Sequence, residues 1–422
     1  MTQMGGSVFE IRDVVYGFIQ LDEQEWDIIN HPVYQRLRRI KQLSLTDMAY
    51  PGAVHTRLEH SIGVMQMATD IYNSIISKRR ARALLSEQYY LDAGGFDRYR
   101  KVIRLAALLH DIGHSPFSHT GENLMPLKKA SDGKRYEHEE YSIAIIKTYF
   151  REIIEEHPIN ANYKISVEEV TALLGDPTKC AFQGILLLFK GIISGQLDAD
   201  RADYLLRDSI HTGVNYGLYD KNRLINCIDI GQMPDTDALV LAVQDGGWHI
   251  AESLVLARYQ MFSQVYFHKT RRAYDYHVGC AVKSILDTCY PKLGGCYPTP
   301  DNLDDYVQFD DWTMYGKIKE GYGGKHGQII IDRNHYRKVY ETSLLPTIEE
   351  ETELEKLEKE LEEKGTVDFF EDEAKTKWYK LDKDILISDE RTGYVKELSR
   401  ISPIVRHMVN APRMKRLYVE KQ

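Results

Sequence analysis

The stretch LAALLHDIGHSPFSH, residues 105–119, constrains this chain more than any other. An apolar helical run closes, within ten residues, on His110, Asp111, His114 and His119. Adjacent His and Asp on one helix point about 100° apart, so both reach a single ion only where the helix faces it end-on. A second imidazole must then come from another helix, and RLEH (57–60) supplies His60 ahead of an amphipathic segment. A last carboxylate is available in LDADRADYLLRD, as Asp198, Asp200 or Asp203. The expected ligand set is His60, His110, Asp111 and Asp200. Mixed imidazole and carboxylate donors suit one divalent transition ion (Mn, Fe, Zn, Co or Ni), and two nitrogens make Mg a poorer fit.

Bulk properties narrow the function. With 422 residues and 43% hydrophobic content, the chain can bury one large core and a smaller appended region. A net charge of -9 argues against nucleic acid as the main partner, because a broad phosphate-binding surface needs a basic excess. Five cysteines without close CxxC pairing suit reduced thiols. The N-terminal stretch lacks a basic-then-apolar signal pattern, and no apolar run approaches about 18 residues, so neither secretion nor a membrane span is expected. A cytoplasmic location follows as an expectation.

The periodicity predicts a mostly α protein with a small β element. Helices are expected over 22–40 (broken at Pro32), 60–77, 138–156, 166–174, 181–194, 198–209, 220–227 and 251–290. The charged, glycine-containing stretch 79–100 reads as a surface connection before a helix starting near Tyr99. Strand-like runs are VFEI near the start, ALVLAV (238–243) and QIIID (328–332). Composition shifts near residue 291 toward Gly, Pro, Asp and Tyr. This divides a helical core, 1–290, from a smaller mixed C-terminal region, 291–422, with a regulatory or oligomerisation role. Within that region, 349–365 reads as a charge-laced, solvated helix with a narrow Leu354, Leu357, Leu361 stripe.

The pattern H…HD…D, with YQRLRRIKQL (34–43), YPGAVHTRLEHSIGV (50–64), LLHDIGHSPFSH (108–119), YEHEE (136–140), LDADRADYLLRDSIHTGV (197–214) and RRAYDYHVG (271–279), resembles the HD superfamily of metal-dependent phosphohydrolases. The longer strings are similar to the SAM-and-HD-domain deoxynucleoside triphosphate triphosphohydrolases and their bacterial dGTPase-like relatives, over roughly residues 8–290. That resemblance implies a helical HD-domain core and hydrolysis of dNTPs to deoxynucleoside and inorganic triphosphate. It implies control of dNTP pools, which some relatives turn to antiviral or phage defence. It also implies an activating nucleotide, Mg at the nucleotide phosphates, and a homo-oligomer (dimer, tetramer or hexamer).

The same resemblance implies roles for individual residues. Arg57, His114 and His119 match phosphate-side groups, and His138 matches the family's acid or nucleophile-side histidine. Its carboxylate partner is Asp in the family and Glu122 here, an exchange that keeps the charge but shifts geometry. Arg201 stands for a phosphate-binding lysine. Gln42, Leu43, Tyr204, Asp208 and Tyr274 match the sugar pocket, where Leu43 and Tyr274 leave no partner for a 2′-hydroxyl. Lys269, Arg271 and Arg272 form a basic cluster near Tyr274. Gln35 and Arg38 match an activating-nucleotide site, but Asn30 replaces its guanine-reading aspartate, and an amide lacks that two-oxygen acceptor. DVVYG (13–17) also departs from the family string. Two other readings start from the same residues: an HD-type phosphodiesterase or nuclease on cyclic nucleotides or single-stranded ends, and a non-catalytic nucleotide sensor.

Overall fold

The computed structural model describes residues 8–129, 133–175, 184–365, 368–375, 383–408 and 413–421. Cys180 and the start of the helix expected over 181–194 lie outside the described residues. The other four cysteines are free thiols.

Helices dominate, as the periodicity predicts. Pro32 separates α1 (Glu23–Asn30) from the short α2 (Pro32–Gln35). At the centre lies α3 (Arg57–Ser77), which buries side chains around its whole circumference, from Leu58 and Val64 to Met67, Tyr72 and Ile75. A helix apolar on all sides needs neighbours on all sides, and α3 packs on α4 (Arg79–Tyr89), on α5 (Ala93–Leu109) and on a later helix, Ala199–Thr212.

Residues 79–100 therefore are not the surface connection expected. The charged side chains solvate the outer face of α4, while Ala81 and Leu85 enter the core. Asp92 caps α5 by accepting from Gly95 N at 2.7 Å, so Gly94 and Gly95 fall in a first turn, where glycine costs little.

Next come α6 (His138–Tyr149), α7 (Arg151–Glu155), α8 (Val167–Ala172), α9 (Ile185–Ile193), α10 (Ala199–Thr212) and α11 (Lys221–Cys227). The helix expected over 251–290 is two, α12 (Trp248–Met261) and α13 (Lys269–Cys289). A widened turn at Phe262–Tyr266 separates them, and His268 Nδ1 caps α13 by accepting from Thr270 N.

After residue 290 come α14 (Leu303–Tyr306), α15 (Asp311–Lys319), α16 (Gly324–Asp332) and the charged α17 (Ile348–Lys364), of which Leu354 is buried. QIIID is helical and not a strand. Its three isoleucines split between buried Ile329 and Ile330 and exposed Ile331, and Arg333 ends the helix with φ +54°.

The hairpin β1 (Phe9–Asp13) and β2 (Gly17–Leu21) pairs Phe9 with Leu21. A second sheet runs β3 (Ile228–Gln232), β4 (Leu239–Gln244), β7 (Leu386–Ser388), β8 (Val395–Glu397), with β4 and β7 parallel. A third has β9 (Arg413–Val419) between β5 (Arg337–Glu341) and β6 (Phe369–Lys375). Tyr297, Tyr306 and Phe309 enter the same apolar core as Leu105 and Ile145. Among the described residues, no helix is long and apolar enough to cross a membrane.

Candidate metal centre

Three helix termini meet at one point. The capping box of Thr56 and Glu59 starts α3 so that Arg57 and His60 fall in its first turn. Asp198 caps α10, accepting from Arg201 N at 2.8 Å, which puts Asp200 in that first turn. The end of α5 at Leu109 delivers His110 and Asp111. A Cβ on Gly63 would sit 2.1 Å from Asp203 Oδ1 and 2.2 Å from the Arg207 guanidinium, so only glycine lets α3 approach α10 this closely.

Second contacts fix both imidazoles. His60 Nδ1 lies 2.8 Å from buried Asp203, leaving Nε2 facing Asp200 Oδ1 at 3.1 Å and Asp111 Oδ2 at 3.6 Å. His110 Nδ1 lies 2.8 Å from the Ala107 carbonyl, which assigns that nitrogen the proton and turns the Nε2 lone pair outward. That Nε2 is buried and has no hydrogen-bond partner. One donor atom from each of His60, His110 and Asp200 lies within 4.8 Å of the others.

Asp111 lies beside them. Its Oδ1 is 3.2 Å from His110 Nε2, and its Oδ2 takes a short bond from Arg57, whose Nε donates to Ser118 Oγ at 2.8 Å. Burial opposes charge on His60, but its bonds to Asp200 and Asp203 outweigh this and raise its pKa to about 10. Asp111, Asp200 and Asp203 thus surround His60 with negative charge, which suits a cation. With an orphaned nitrogen on His110, and with His60 oriented by a carboxylate and His110 by a backbone carbonyl, the donor set fits a divalent transition metal.

A second cluster adjoins the first. His138 Nδ1 is 2.8 Å from Glu122 Oε1, and His119 Nδ1 is 3.0 Å from Glu122 Oε2. His114 is buried and stacks on His138 with ring centroids 3.8 Å apart and planes 18° apart. One donor atom from each of His114, His119, Glu122 and His138 also lies within 4.8 Å of the others, but two near-parallel rings aim their in-plane lone pairs side by side, which suits a proton better than a shared ion. Burial opposes charge on His138, but Glu122, with Glu139 and Asp111, raises its pKa to about 9. His114 goes the other way: burial first, then the charges of Arg57 and His138, hold it well below the usual imidazole range. At neutral pH His138 is charged and His114 is not.

Distant contacts hold the loop between the clusters. Phe117 and Ser118 both have positive φ, +60° and +56°, a conformation that costs non-glycine residues about 1–2 kcal/mol each. Asp311 accepts from Phe117 N at 2.7 Å and Lys41 N at 2.9 Å, and Ser118 Oγ donates to the Lys41 carbonyl at 2.6 Å. Fully buried Arg36 donates to the carbonyls of His114 (2.7 Å) and Phe309 (2.8 Å). A Cβ on Gly113 would meet His138 O and Ser142 N, each at 2.3 Å, so glycine is needed where α6 passes the loop.

The remaining expected residues are placed as follows. Asp208 is buried, with Oδ1 2.8 Å from His55 Nε2 and Oδ2 accepting from Tyr266 Oη at 2.6 Å. The Tyr204 and Tyr266 rings lie 6.2 Å apart. Gln42 Oε1 and Tyr274 Oη are buried without partners, and Leu43 is buried. Arg201 Nη1 lies 3.4 Å from Asp198. Arg272 clamps Asp372 and Arg271 bonds the Tyr266 carbonyl, so both are committed to structure. Asn30 ends α1 at the surface, where Gln35 donates to Ile29 O (2.7 Å) and accepts from Arg38 Nε (3.0 Å).

Sequence reasoning missed His55, Tyr266, Arg36 and Asp311, and offered Asp203 as a possible ligand, where the structure sets it against His60 Nδ1. The spacing Asp200–Asp203 was the available signal. Three residues apart on α10, both face α3, but Asp203 lies deeper, against Arg207 Nε at 2.8 Å.

Residues 57–208, which hold both clusters, match the HD domain, and residues 219–368 match the HD-associated region. An uncharacterized protein of Methanocaldococcus jannaschii is 34% identical over 78% of this chain and 58% of its own length. The deoxynucleoside triphosphate triphosphohydrolase SAMHD1 homolog of Dictyostelium discoideum is 27% identical over 71% of this chain and 52% of its own. This chain thus spans a little over half the length of these relatives. The crystal structure of a phosphohydrolase from Bacteroides thetaiotaomicron superposes with a TM-score of 0.72 at 25% identity, covering 99% of this chain and 100% of that one. With an HD domain around the clustered histidines and an HD-associated region behind it, the chain belongs to the HD superfamily and resembles SAMHD1-type proteins.

Proposed function

We propose that this protein hydrolyses deoxynucleoside triphosphates to deoxynucleoside and inorganic triphosphate, with one divalent transition metal held by His60, His110, Asp111 and Asp200. The observation that carries the reading is the charged His138–Glu122 pair set against the imidazole–carboxylate cluster, with His138 Nε2 4.0 Å from Asp111 Oδ1.

In this reaction water adds to the α-phosphorus and the bond to the sugar 5′-oxygen breaks. The metal, when bound, supplies Lewis-acid polarisation of the phosphoryl group. His138, its Nδ1 fixed by Glu122, presents Nε2–H to the departing 5′-oxygen. A positioned proton donor of this kind contributes about 10²–10⁴-fold. Arg57, aimed by Ser118, and neutral His114 line the phosphate side; Arg201 and exposed His119 stand at its edge. Leu43 and Tyr274, both buried, are assigned to the sugar floor, and Gln42, Tyr204 and Asp208 to its surroundings, by the family resemblance. Similarity to the deoxynucleoside triphosphate triphosphohydrolase SAMHD1 homolog supports dNTPs as the substrate class.

The test is anion-exchange analysis of products from each dNTP and NTP, alone and in pairs, with Mn²⁺, Co²⁺, Fe²⁺ or Mg²⁺. Deoxynucleoside plus triphosphate is expected, and none from a His110→Ala/Asp111→Ala protein. Cleavage of diesters instead would assign a phosphodiesterase.

A further inference from the structure

Asp311 begins α15, in the HD-associated region, yet both of its oxygens serve the rest of the chain. Oδ1 accepts from Phe117 N at 2.7 Å and Oδ2 from Lys41 N at 2.9 Å. These two amides lie on the two sides of the proposed substrate site. On the phosphate side, Ser118 follows Phe117, and its Oγ accepts from Arg57 Nε at 2.8 Å. On the sugar side, Lys41 runs into Gln42 and Leu43. Gln42 N donates to the His55 carbonyl at 3.0 Å, and the His55 ring meets Asp208. Directly between the sides, Ser118 Oγ donates to the Lys41 carbonyl at 2.6 Å.

Asp311 is 2% exposed, and among the described residues no cation pairs with it. The Lys41 ammonium turns to Asp47 at 2.8 Å, and Arg39 takes Asp310 at 2.5 Å. The other titratable neighbours are the hydroxyls of Tyr297 and Tyr315. Burial raises the Asp311 pKa to about 6, although its bonds from Lys41 N and Phe117 N oppose this. As a carboxylate it meets both amides. Once protonated it carries a hydroxyl, which is a donor, so one amide loses its acceptor. Phe117 holds a positive φ of +60°, and such a conformation persists only where surrounding contacts enforce it.

We propose that Asp311 is a positioning residue for the hydrolysis, a carboxylate of the HD-associated region that locks the phosphate-side loop at Phe117 to the sugar-side segment at Lys41. It touches neither substrate nor metal ligand, and acts by keeping Arg57 and the sugar-side residues in one register. The identity of the two sides rests on the dNTP reading, whereas their coupling through Asp311 rests on the contacts alone.

The experiment compares the native full chain with Asp311→Asn, whose amide keeps the size but offers one acceptor oxygen. Amide hydrogen exchange near pH 7.5, without nucleotide, should quicken about tenfold or more at Phe117–Ser118 and at Lys41–Gln42 together. With dNTP and Mn²⁺, kcat/KM should fall about tenfold or more while Mn²⁺ affinity stays unchanged. The native protein should show an acid limb near pH 6 in kcat/KM, displaced in the variant. Faster exchange in one segment only, an unmoved acid limb, or weakened Mn²⁺ binding would overturn the proposal. Should Asp311→Asn not fold, the native protein carries the test. Its two segments should loosen together as pH falls through about 6, after correction for intrinsic exchange, and separate loosening would overturn it. Absence of dNTP turnover would sink the functional reading and leave the exchange result standing.

Discussion

Glu122 Oε1 lies 2.8 Å from His138 Nδ1, and this contact is the first of those that favour charge on the imidazole beside the candidate metal centre. With Glu122 in place His138 keeps its proton to about pH 9, so activity that needs the acid form should hold through neutrality and fall as pH rises through that value. Glu122→Gln removes the negative partner, and the alkaline limb should move toward the ordinary imidazole value near 6.5. At pH 8 the variant should lose about 30-fold in kcat, the ratio of the protonated fractions. A pH–rate profile checks this; a loss in kcat with an unmoved alkaline limb would count against the assignment.

Asp203 touches His60 from behind. Asp203→Asn should keep the fold but free the imidazole to reorient, weakening metal affinity about 10–100-fold. Competition with a chelator measures it.

Gly113→Ala puts a methyl group into the backbone of α6 at His138 and Ser142. Overpacking of this kind costs about 1–3 kcal/mol. Because the clash displaces His138, activity should fall further than the melting temperature suggests. Denaturant titration beside single-turnover kinetics separates the two effects.

Far from the site, Glu25 is buried between Arg104 and Lys101. Burial opposes its charge, but Lys101 and Arg104 outweigh this and lower its pKa to about 2. A depressed carboxylate contributes stability that is present above its unfolded pKa, near 4.5, and lost as pH falls from there through 2. Glu25→Gln should cost about 3 kcal/mol at pH 7 and much less at pH 2, as breaking a buried pair does. Urea titrations at both pH values measure it.

The helical class and the histidine cluster were legible because each needs only local information. Apolar periodicity writes α3 and α6, and a run ending in His-Asp before His-x-Pro-Phe-Ser-His is too unusual a string for packing alone. What was not legible depends on contacts remote in sequence. Arg36 reads as one basic residue among several in QRLRR until its bonds to His114 O and Phe309 O appear, the latter 273 residues away. Asp311 reads as a helix-start carboxylate, yet its acceptor bonds hold the strained Phe117. QIIID failed for a different reason: a short β-branched run has no period, and burial of Ile329 and Ile330 against the neighbouring elements decided for helix. Asp200 and Asp203 have the same residue type and helix face, and only depth separates ligand candidate from orienting partner.

The central claim is attack of water at the α-phosphorus with loss of the sugar. Its most direct measurement is dNTP hydrolysis in ¹⁸O-labelled water with Mn²⁺, with both products read by mass spectrometry. One ¹⁸O in inorganic triphosphate, beside unlabelled deoxynucleoside, is the predicted result. Label in the nucleoside, or stepwise release of phosphate or pyrophosphate, would contradict it.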